Sequence, residues 1–186
     1  QDMGIDPSGF AEGTCVTGND NGFLYFGGNY NGTAATPFST LFGLPSTTSQ
    51  SPQNSSYLFS WNLTSGLVVA FEEIWNLSSY TNLTGLDARQ DELVMSGSYG
   101  QGDPLSIWPS VAGTNPNPTG DYVFVGQLDY GIGNWFIPQI VNSTVQSIPG
   151  NPDHRSARIS VGTGDFAYLT GTYNGNLSYL SGFPAS

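Results

Sequence analysis

Glu73 is the residue of this chain whose type and surroundings best suit acid–base chemistry. It lies in the segment Leu67-Val-Val-Ala-Phe-Glu-Glu-Ile-Trp75, where alternation along a strand puts its side chain on a face with Phe71 and Trp75. Aromatic surroundings disfavour an ionised carboxyl group, which suits a general acid. Glycoside hydrolases and polysaccharide lyases are therefore one expected class, with Glu73 as the catalytic residue. Its second carboxylate is not identified, because Glu72 faces the other way. The alternative is a buried Glu bonded to a Tyr hydroxyl.

Other kinds of catalytic and cofactor chemistry find little support in the sequence. The single His154 lies in a Pro- and Gly-flanked loop beside Arg155, and no Gly-x-Ser-x-Gly motif accompanies it. One His and one Cys cannot form a multi-ligand zinc site, and the turn at Asp20 lacks the ligand set of a calcium loop. No phosphate-binding loop or dinucleotide motif is present. We therefore expect no metal and no cofactor. We expect Cys15 to be a small buried residue; the alternatives are a free thiol or an intermolecular bridge.

Aromatic residues make carbohydrate the expected partner. The chain has four Trp and ten Tyr residues, and aromatic rings stack on the apolar faces of sugars. Trp108 and Trp135 flank predicted loops, which favours them as carbohydrate-binding residues over the tryptophans within strands. The alternative is that a β protein without an internal disulfide needs these rings for its core.

Charge and sequons indicate where the protein acts. Charged residues are 9% of the chain, the cations are three arginines, and the net charge is −11. Such a chain cannot neutralise phosphates, so a nucleic acid partner is excluded and an anionic membrane surface is disfavoured. No segment reaches the roughly 18 apolar residues of a membrane span. Seven N-glycosylation sequons predict a secreted, extracellular glycoprotein; they begin at Asn31, Asn54, Asn62, Asn76, Asn82, Asn142 and Asn176.

A repeated motif predicts hairpins near both ends of the chain. Residues 23–32 and 166–175 share the pattern F-x-Y-x-x-G-x-Y-N-G, and Asn-Gly favours a tight turn between antiparallel strands. The second copy is predicted to pair with residues 176–183, and the two copies to be neighbours in one sheet or pseudo-symmetric partners. Because a glycan at Asn176 must face water, Phe166 and Tyr168 are expected on the buried face.

Two more hairpins are predicted between these ends. Residues 57–75 turn at Thr64-Ser-Gly66, which puts Tyr57 opposite Glu73 on an inward aromatic face; a helix over 66–76 is the alternative. Residues 121–130 and 135–143 form the other, with Pro138 at a sheet edge. Residues 77–92 are interpreted as a polar connection with room for one helical turn.

Together these patterns predict one secreted β domain over residues 1–186. The expected fold is an all-β antiparallel sandwich or jelly roll of about nine to eleven strands, with a closed barrel as the alternative. The leading functional hypothesis is a glycoprotein that binds or coats carbohydrate without catalysis. The alternatives are the Glu73 enzyme and a structural, matrix or storage glycoprotein.

Overall fold

A computed structural model describes the chain over residues 10–31, 33–34, 47–48, 51, 53–75, 77, 79–89, 92–100, 106–107, 111–112, 122–129, 134–143, 155–162, 167–172 and 177–179. Regular structure in this part of the chain is all strand. The strands are β1 (Phe10–Gly18), β2 (Phe23–Asn31), β3 (Thr33–Ala34), β4 (Thr47–Thr48), β5 (Ser55–Asn62), β6 (Leu67–Trp75), β7 (Thr81–Arg89), β8 (Glu92–Tyr99), β9 (Ser106–Ile107), β10 (Val111–Ala112), β11 (Tyr122–Asp129), β12 (Asn134–Ser143), β13 (Arg155–Val161), β14 (Ala167–Thr172) and β15 (Leu177–Tyr179).

The strands pair in an antiparallel manner and build three packed sheets. The first sheet has the order β1-β2-β5-β6-β9-β10, the second has the order β15-β12-β11-β8-β7, and β13 pairs with β14 as the third; β3 and β4 form a separate short pair. The all-β antiparallel prediction is confirmed. The number of described strands with six residues or more lies within the predicted nine to eleven. Each sheet ends in strands without a further described neighbour. The closed-barrel alternative is therefore wrong for the described strands.

The main core lies between the first and second sheets. Because successive side chains of a strand point to opposite faces of its sheet, only alternate residues of a regular strand reach this core. Removing these side chains from water supplies the main driving force for packing the two sheets. The core residues are Tyr25, Leu58, Ile74, Leu83, Leu86, Leu93, Met95, Tyr99 and Phe124.

Strands β8 and β11 of the second sheet carry buried residues on both faces. On the face away from the main core, Val94 and Val125 pack against Ile159 of β13. Val161 and Leu169 contribute further apolar contacts at this second interface. The β13–β14 pair therefore forms a third layer that covers the outer side of the second sheet.

The β5–β6 hairpin forms in the predicted register over most of its length. Tyr57 lies opposite Glu73, and the helix alternative for residues 66–76 is wrong. The register shifts between Ser60 and Trp61, close to a turn in which Gly66 has a φ of 70°. A positive φ is readily adopted by glycine, which accounts for that residue at the end of the turn.

The predicted aromatic face of this hairpin is buried at Tyr57 and Phe59, but it is not the face toward the main core. Leu58 and Ile74, on the other face, belong to the main core. Tyr57 and Phe59 are buried on the opposite face, where the Phe59 ring stacks on Phe26 with centroids 4.9 Å apart. The first sheet thus has apolar residues on both sides, which is why the sequence did not distinguish its core face.

The predicted C-terminal hairpin is also wrong. β14 pairs with β13, and β15 pairs with β12 of the second sheet. The two copies of the repeat lie in different sheets, so they are not neighbours in one sheet. Tyr168 is 64% exposed rather than buried. Phe166 and the Asn174-Gly175 turn lie outside the described residues.

The β11–β12 hairpin forms as predicted. β12 is not an edge strand along its whole length, because its residues 141–143 pair with β15. Pro138 lies outside that paired stretch, where the register with β11 is irregular between Val125 and Gln127. A proline without an amide donor suits such a position.

No helix in the described part of the chain is long and apolar enough to cross a membrane.

Candidate binding cleft

A cleft of about 850 Å³ lies between the first sheet, the second sheet and the β13–β14 pair. Its lining takes in residues 13–17 of β1, 84–87 of β7 and 158–160 of β13, together with Phe26, Tyr168 and Thr170. β1 and β7 are the terminal strands of their sheets. The cleft therefore runs along two sheet edges, and the third layer forms its remaining wall.

Each of these three strands has a bulge at or beside the cleft. The register skips Thr14 on β1, Thr84 on β7 and Ala157 on β13. A bulge adds one residue to a strand and redirects the side chains around it. Thr14 Oγ1 donates to the backbone carbonyl of Leu83 at 2.6 Å. The bulges thus bring β1 and β7 together at the floor of the cleft.

The buried Asn29 holds β7 against the first sheet. Its Oδ1 accepts the backbone N–H of Leu83 and the hydroxyl of Ser56, each at 2.8 Å. Its Nδ2 donates to Asn82 Oδ1 at 2.6 Å and to Glu12 Oε1 at 3.3 Å. Buried polar groups are costly unless they are hydrogen-bonded, and these bonds satisfy the Asn29 amide on both sides. The network fixes the strand that forms the floor of the cleft.

Asp87 links all three layers at one end of the cleft. Its Oδ1 accepts from Thr17 Oγ1 of β1 at 3.3 Å and from the backbone N–H of Ala88 at 3.0 Å. Its Oδ2 accepts from the hydroxyl of Ser160 at 3.1 Å and the backbone N–H of Val161 at 2.7 Å, both on β13. A carboxylate that accepts four bonds is acting as a connector between strands.

Tyr168 and Arg158 are the exposed side chains of the outer wall. Tyr168 lies opposite Ser160, and Arg158 lies opposite Thr170, so all four residues share one face of the β13–β14 pair. Their alternate neighbours Ile159 and Leu169 pack toward the second sheet. The face toward the cleft therefore presents an aromatic ring, a guanidinium group and two hydroxyls.

Cys15 lines the cleft as a half-buried free thiol. Burial raises its pKa above the ordinary value, although bonds with the Thr14 hydroxyl and the Gly27 backbone oppose the shift. The thiolate is the reactive form of cysteine, so a raised pKa makes this thiol a poor nucleophile near neutral pH. The prediction of a small buried residue is met in part.

Glu73 is 7% exposed and lies on the face of the first sheet that points away from the main core. Its nearest cross-strand neighbour is Tyr57, as expected from the sequence. It does not line the cleft. The structure thus places this predicted catalytic residue apart from the exposed groups of the outer wall.

The structure describes the backbone of one of the two predicted carbohydrate-binding tryptophans. Trp108 lies outside the described residues, as does His154. Trp135 is on β12, opposite Leu128. Within the described part of the chain, no three His, Cys, Asp or Glu residues lie close enough to hold a metal ion.

The predicted glycosylation sites fall in several settings. Asn54, Asn62 and Asn82 are half-buried. Asn31 and Asn142 lie in β2 and β12, and Asn142 pairs with Ser178. Asn76 and Asn176 lie outside the described residues.

Sequence reasoning missed the floor of the cleft because it missed β7. Leu83 and Leu86 are both in the main core although they are three residues apart, a spacing typical of a helix. The bulge at Thr84 adds the residue that restores both side chains to one face of a strand. Broken alternation of this kind was the available signal for the bulge, and with it for Asp87.

Comparison with known proteins adds no relative. No family model, curated protein or solved structure matches this chain. Function therefore has to be inferred from the residues of the cleft.

Proposed function

We propose that this chain is a secreted, N-glycosylated protein that binds carbohydrate in the cleft between β1, β7 and the β13–β14 pair, without catalysis. The observation that carries the proposal is the Tyr168 ring, which is 64% exposed on the wall of a cleft rather than packed in a core. Large exposed aromatic side chains at concave surfaces are typical of binding sites.

The groups around Tyr168 suit a sugar. A pyranose has apolar C–H faces that stack on an aromatic ring and a rim of hydroxyls that need hydrogen-bond partners. The Arg158 guanidinium is a multiple donor, and the Ser160 and Thr170 hydroxyls can donate or accept. One ring flanked by hydroxyls and a guanidinium matches both requirements of a sugar residue.

Binding without bond cleavage fits the reactive groups of the cleft. Glycoside hydrolysis ordinarily uses two carboxyl groups. Among the described residues that line the cleft, Asp87 is the one carboxylate, and its two oxygens already accept four protein donors. The Cys15 thiol is held in its neutral form by its raised pKa. The Asp87 carboxylate and the Cys15 thiol are therefore better suited to a structural role in the cleft than to attack on a substrate.

Two further features belong to the proposal. We infer that the complete chain is a β-sandwich, supported by the packing of the first and second sheets around one core. The sequons support passage through a secretory pathway. The Glu73 enzyme and the structural glycoprotein remain alternatives, and the burial of Glu73 lends no support to the first.

The test is binding of the purified protein to an array of neutral and acidic glycans, followed by titration with the best ligand. Tyr168→Ala should abolish binding, whereas Tyr168→Phe should retain most of it because the ring remains. Leu67→Ala alters a side chain that is 65% exposed on β6 and should change nothing. Absence of binding to every glycan, or full binding by Tyr168→Ala, would reject this site.

A further inference from the structure

Three sequons are described over all their residues, and they differ sharply in accessibility. They begin at Asn54, Asn62 and Asn82. We propose that Asn62 carries a glycan in the folded protein and that Asn54 does not. This inference rests on the secretory route of the proposed function but not on carbohydrate binding.

Asn62 stands at the start of an exposed turn. Its Oδ1 accepts the backbone N–H groups of Thr64 at 2.9 Å and Ser65 at 3.0 Å, which fixes the turn. The glycan is carried by Nδ2, which takes no part in these two bonds. Leu63 and Thr64, the rest of the sequon, are exposed. A sugar on Asn62 therefore leaves the turn and its hydrogen bonds unchanged.

Asn54 is tied to the peptide of Thr81 on both sides. The side-chain Nδ2 of Asn54 donates to the backbone carbonyl of Thr81, and the backbone carbonyl of Asn54 accepts the Thr81 N–H at 2.9 Å. Ser55 and Ser56, the rest of this sequon, are both 0% exposed. A glycan on Nδ2 would have to pass through this closed contact between the two sheets.

Asn82 is intermediate between these two cases. Its Oδ1 accepts from Asn29 Nδ2 at 2.6 Å, and the next residue, Leu83, is 0% exposed. Thr84 Oγ1 donates to the Ser96 carbonyl at 3.3 Å. This sequon is built into the β7 bulge, so the contrast between Asn62 and Asn54 gives the clearest test.

A glycan at Asn62 also has an apolar surface to cover. Leu63 and Leu67 flank the same turn and are 56% and 65% exposed. Sugar rings present apolar faces that can lie over such side chains while their hydroxyls face water. The modification would thereby shield the apolar tip of the β5–β6 hairpin.

The experiment passes the full chain, behind an added leader, through a eukaryotic secretory pathway and measures site occupancy by peptide mass spectrometry on the folded monomeric fraction. We expect Asn62 occupied in most molecules and Asn54 in few. Thr64→Ala should lose the mass of one glycan and bind more of an apolar dye. Thr64→Ser keeps the sequon and should retain both properties.

A folded fraction with Asn62 empty, or with Asn54 occupied as often as Asn62, would overturn the assignment. The two proposals fail separately. A protein glycosylated at Asn62 that binds no glycan on the array rejects only the carbohydrate-binding function. A protein that binds a glycan but is empty at Asn62 rejects only this site.

Discussion

The Asn29 side chain of β2 accepts the backbone N–H of Leu83 in β7 at 2.8 Å, and this bond crosses the interface between the two larger sheets. Leu83 immediately precedes the bulge at Thr84, so its N–H is supplied with a side-chain acceptor from the facing sheet. A buried amide whose hydrogen bonds reach both sheets helps to specify how the two sheets align.

Replacement of Asn29 should therefore be costly. Asn29→Ala removes the acceptor of the Ser56 hydroxyl and one of two acceptors of the Leu83 N–H, which also donates to Ser56 Oγ at 2.9 Å. We expect the free energy of unfolding to fall by about 2 kcal/mol. Asn29→Asp keeps an acceptor but turns a second oxygen toward Asn82 and Glu12, so it should also destabilise, and less at acidic pH than at neutral pH. Denaturant titration measures both variants. An Asn29→Ala protein within about 0.5 kcal/mol of the parent would contradict this role.

Asp87 should contribute to the attachment of the third layer. Asp87→Ala removes the acceptor of the Val161 N–H and the Ser160 hydroxyl, and we expect a loss of about 2 kcal/mol in unfolding free energy. Hydrogen exchange at the Val161 amide should accelerate more than exchange in the main core. Asp20→Ala alters an exposed turn residue and serves as the matched control. Equal exchange at Val161 in parent and variant would show that Asp87 does not hold β13.

Tyr57 should make stability depend on alkaline pH. Burial raises its pKa from 10.0 to about 12, with smaller contributions from Cys15 and Glu12. The unfolded chain then loses this proton near pH 10, whereas the folded chain keeps it to about pH 12. The stabilisation is complete below pH 10 and falls by about 2–3 kcal/mol as the pH rises to about 12.

Unfolding free energies across this pH range, together with tyrosinate absorbance, measure the effect. Tyr57→Phe keeps the ring and should flatten the slope, although it also loses the bond from the hydroxyl to the Glu12 carbonyl at 3.2 Å. Cys15→Ser should reduce the slope only in part, since burial is the main cause of the shift. An unchanged slope in Tyr57→Phe would assign the dependence to another group.

Two opposed glycines give a matched pair of substitutions. Gly13 of β1 lies directly opposite Gly28 of β2. A Cβ on Gly28 would overlap the Glu12 carbonyl oxygen and the Tyr57 hydroxyl, whereas a Cβ on Gly13 would have its nearest neighbour, the same hydroxyl, at 3.9 Å. We expect Gly28→Ala to cost about 3 kcal/mol or more and Gly13→Ala to cost less than about 1 kcal/mol. Thermal unfolding of the two proteins decides the matter; similar melting temperatures would contradict the close packing at Gly28.

The parts of the fold that sequence reasoning reached are those set by local patterns. The β5–β6 register was predictable because Gly66 marks the turn and because aromatic and β-branched residues continue on either side. The pairing of Tyr57 with Glu73 followed from counting outward from that turn. Local counting could not decide which face of the hairpin meets the second sheet, because both faces are apolar.

The parts it missed depend on distant partners. The Asn174-Gly175 dipeptide predicted that β14 pairs with the residues that follow it. In the structure β14 pairs with β13, and the pair covers Val94 and Val125 of the second sheet. Burial of Ile159 and Leu169 at that interface is a tertiary gain that no short-range motif displays. The exposure of Tyr168 follows from the pairing of β14 with β13, because its neighbour Leu169 faces the second sheet and Tyr168 therefore faces the other way. The outer wall of the cleft was therefore beyond prediction from the sequence alone.

Strands β8 and β11 of the second sheet carry apolar side chains on both faces, and the strands that cover the outer face follow them in the chain. A product released before β13 would leave Val94 and Val125 uncovered next to a finished main core. Such a fragment would be adhesive toward its own copies. Because β13 and β14 follow β8 and β11 in the chain, versions shortened before β13 should be recovered as aggregates rather than as smaller domains.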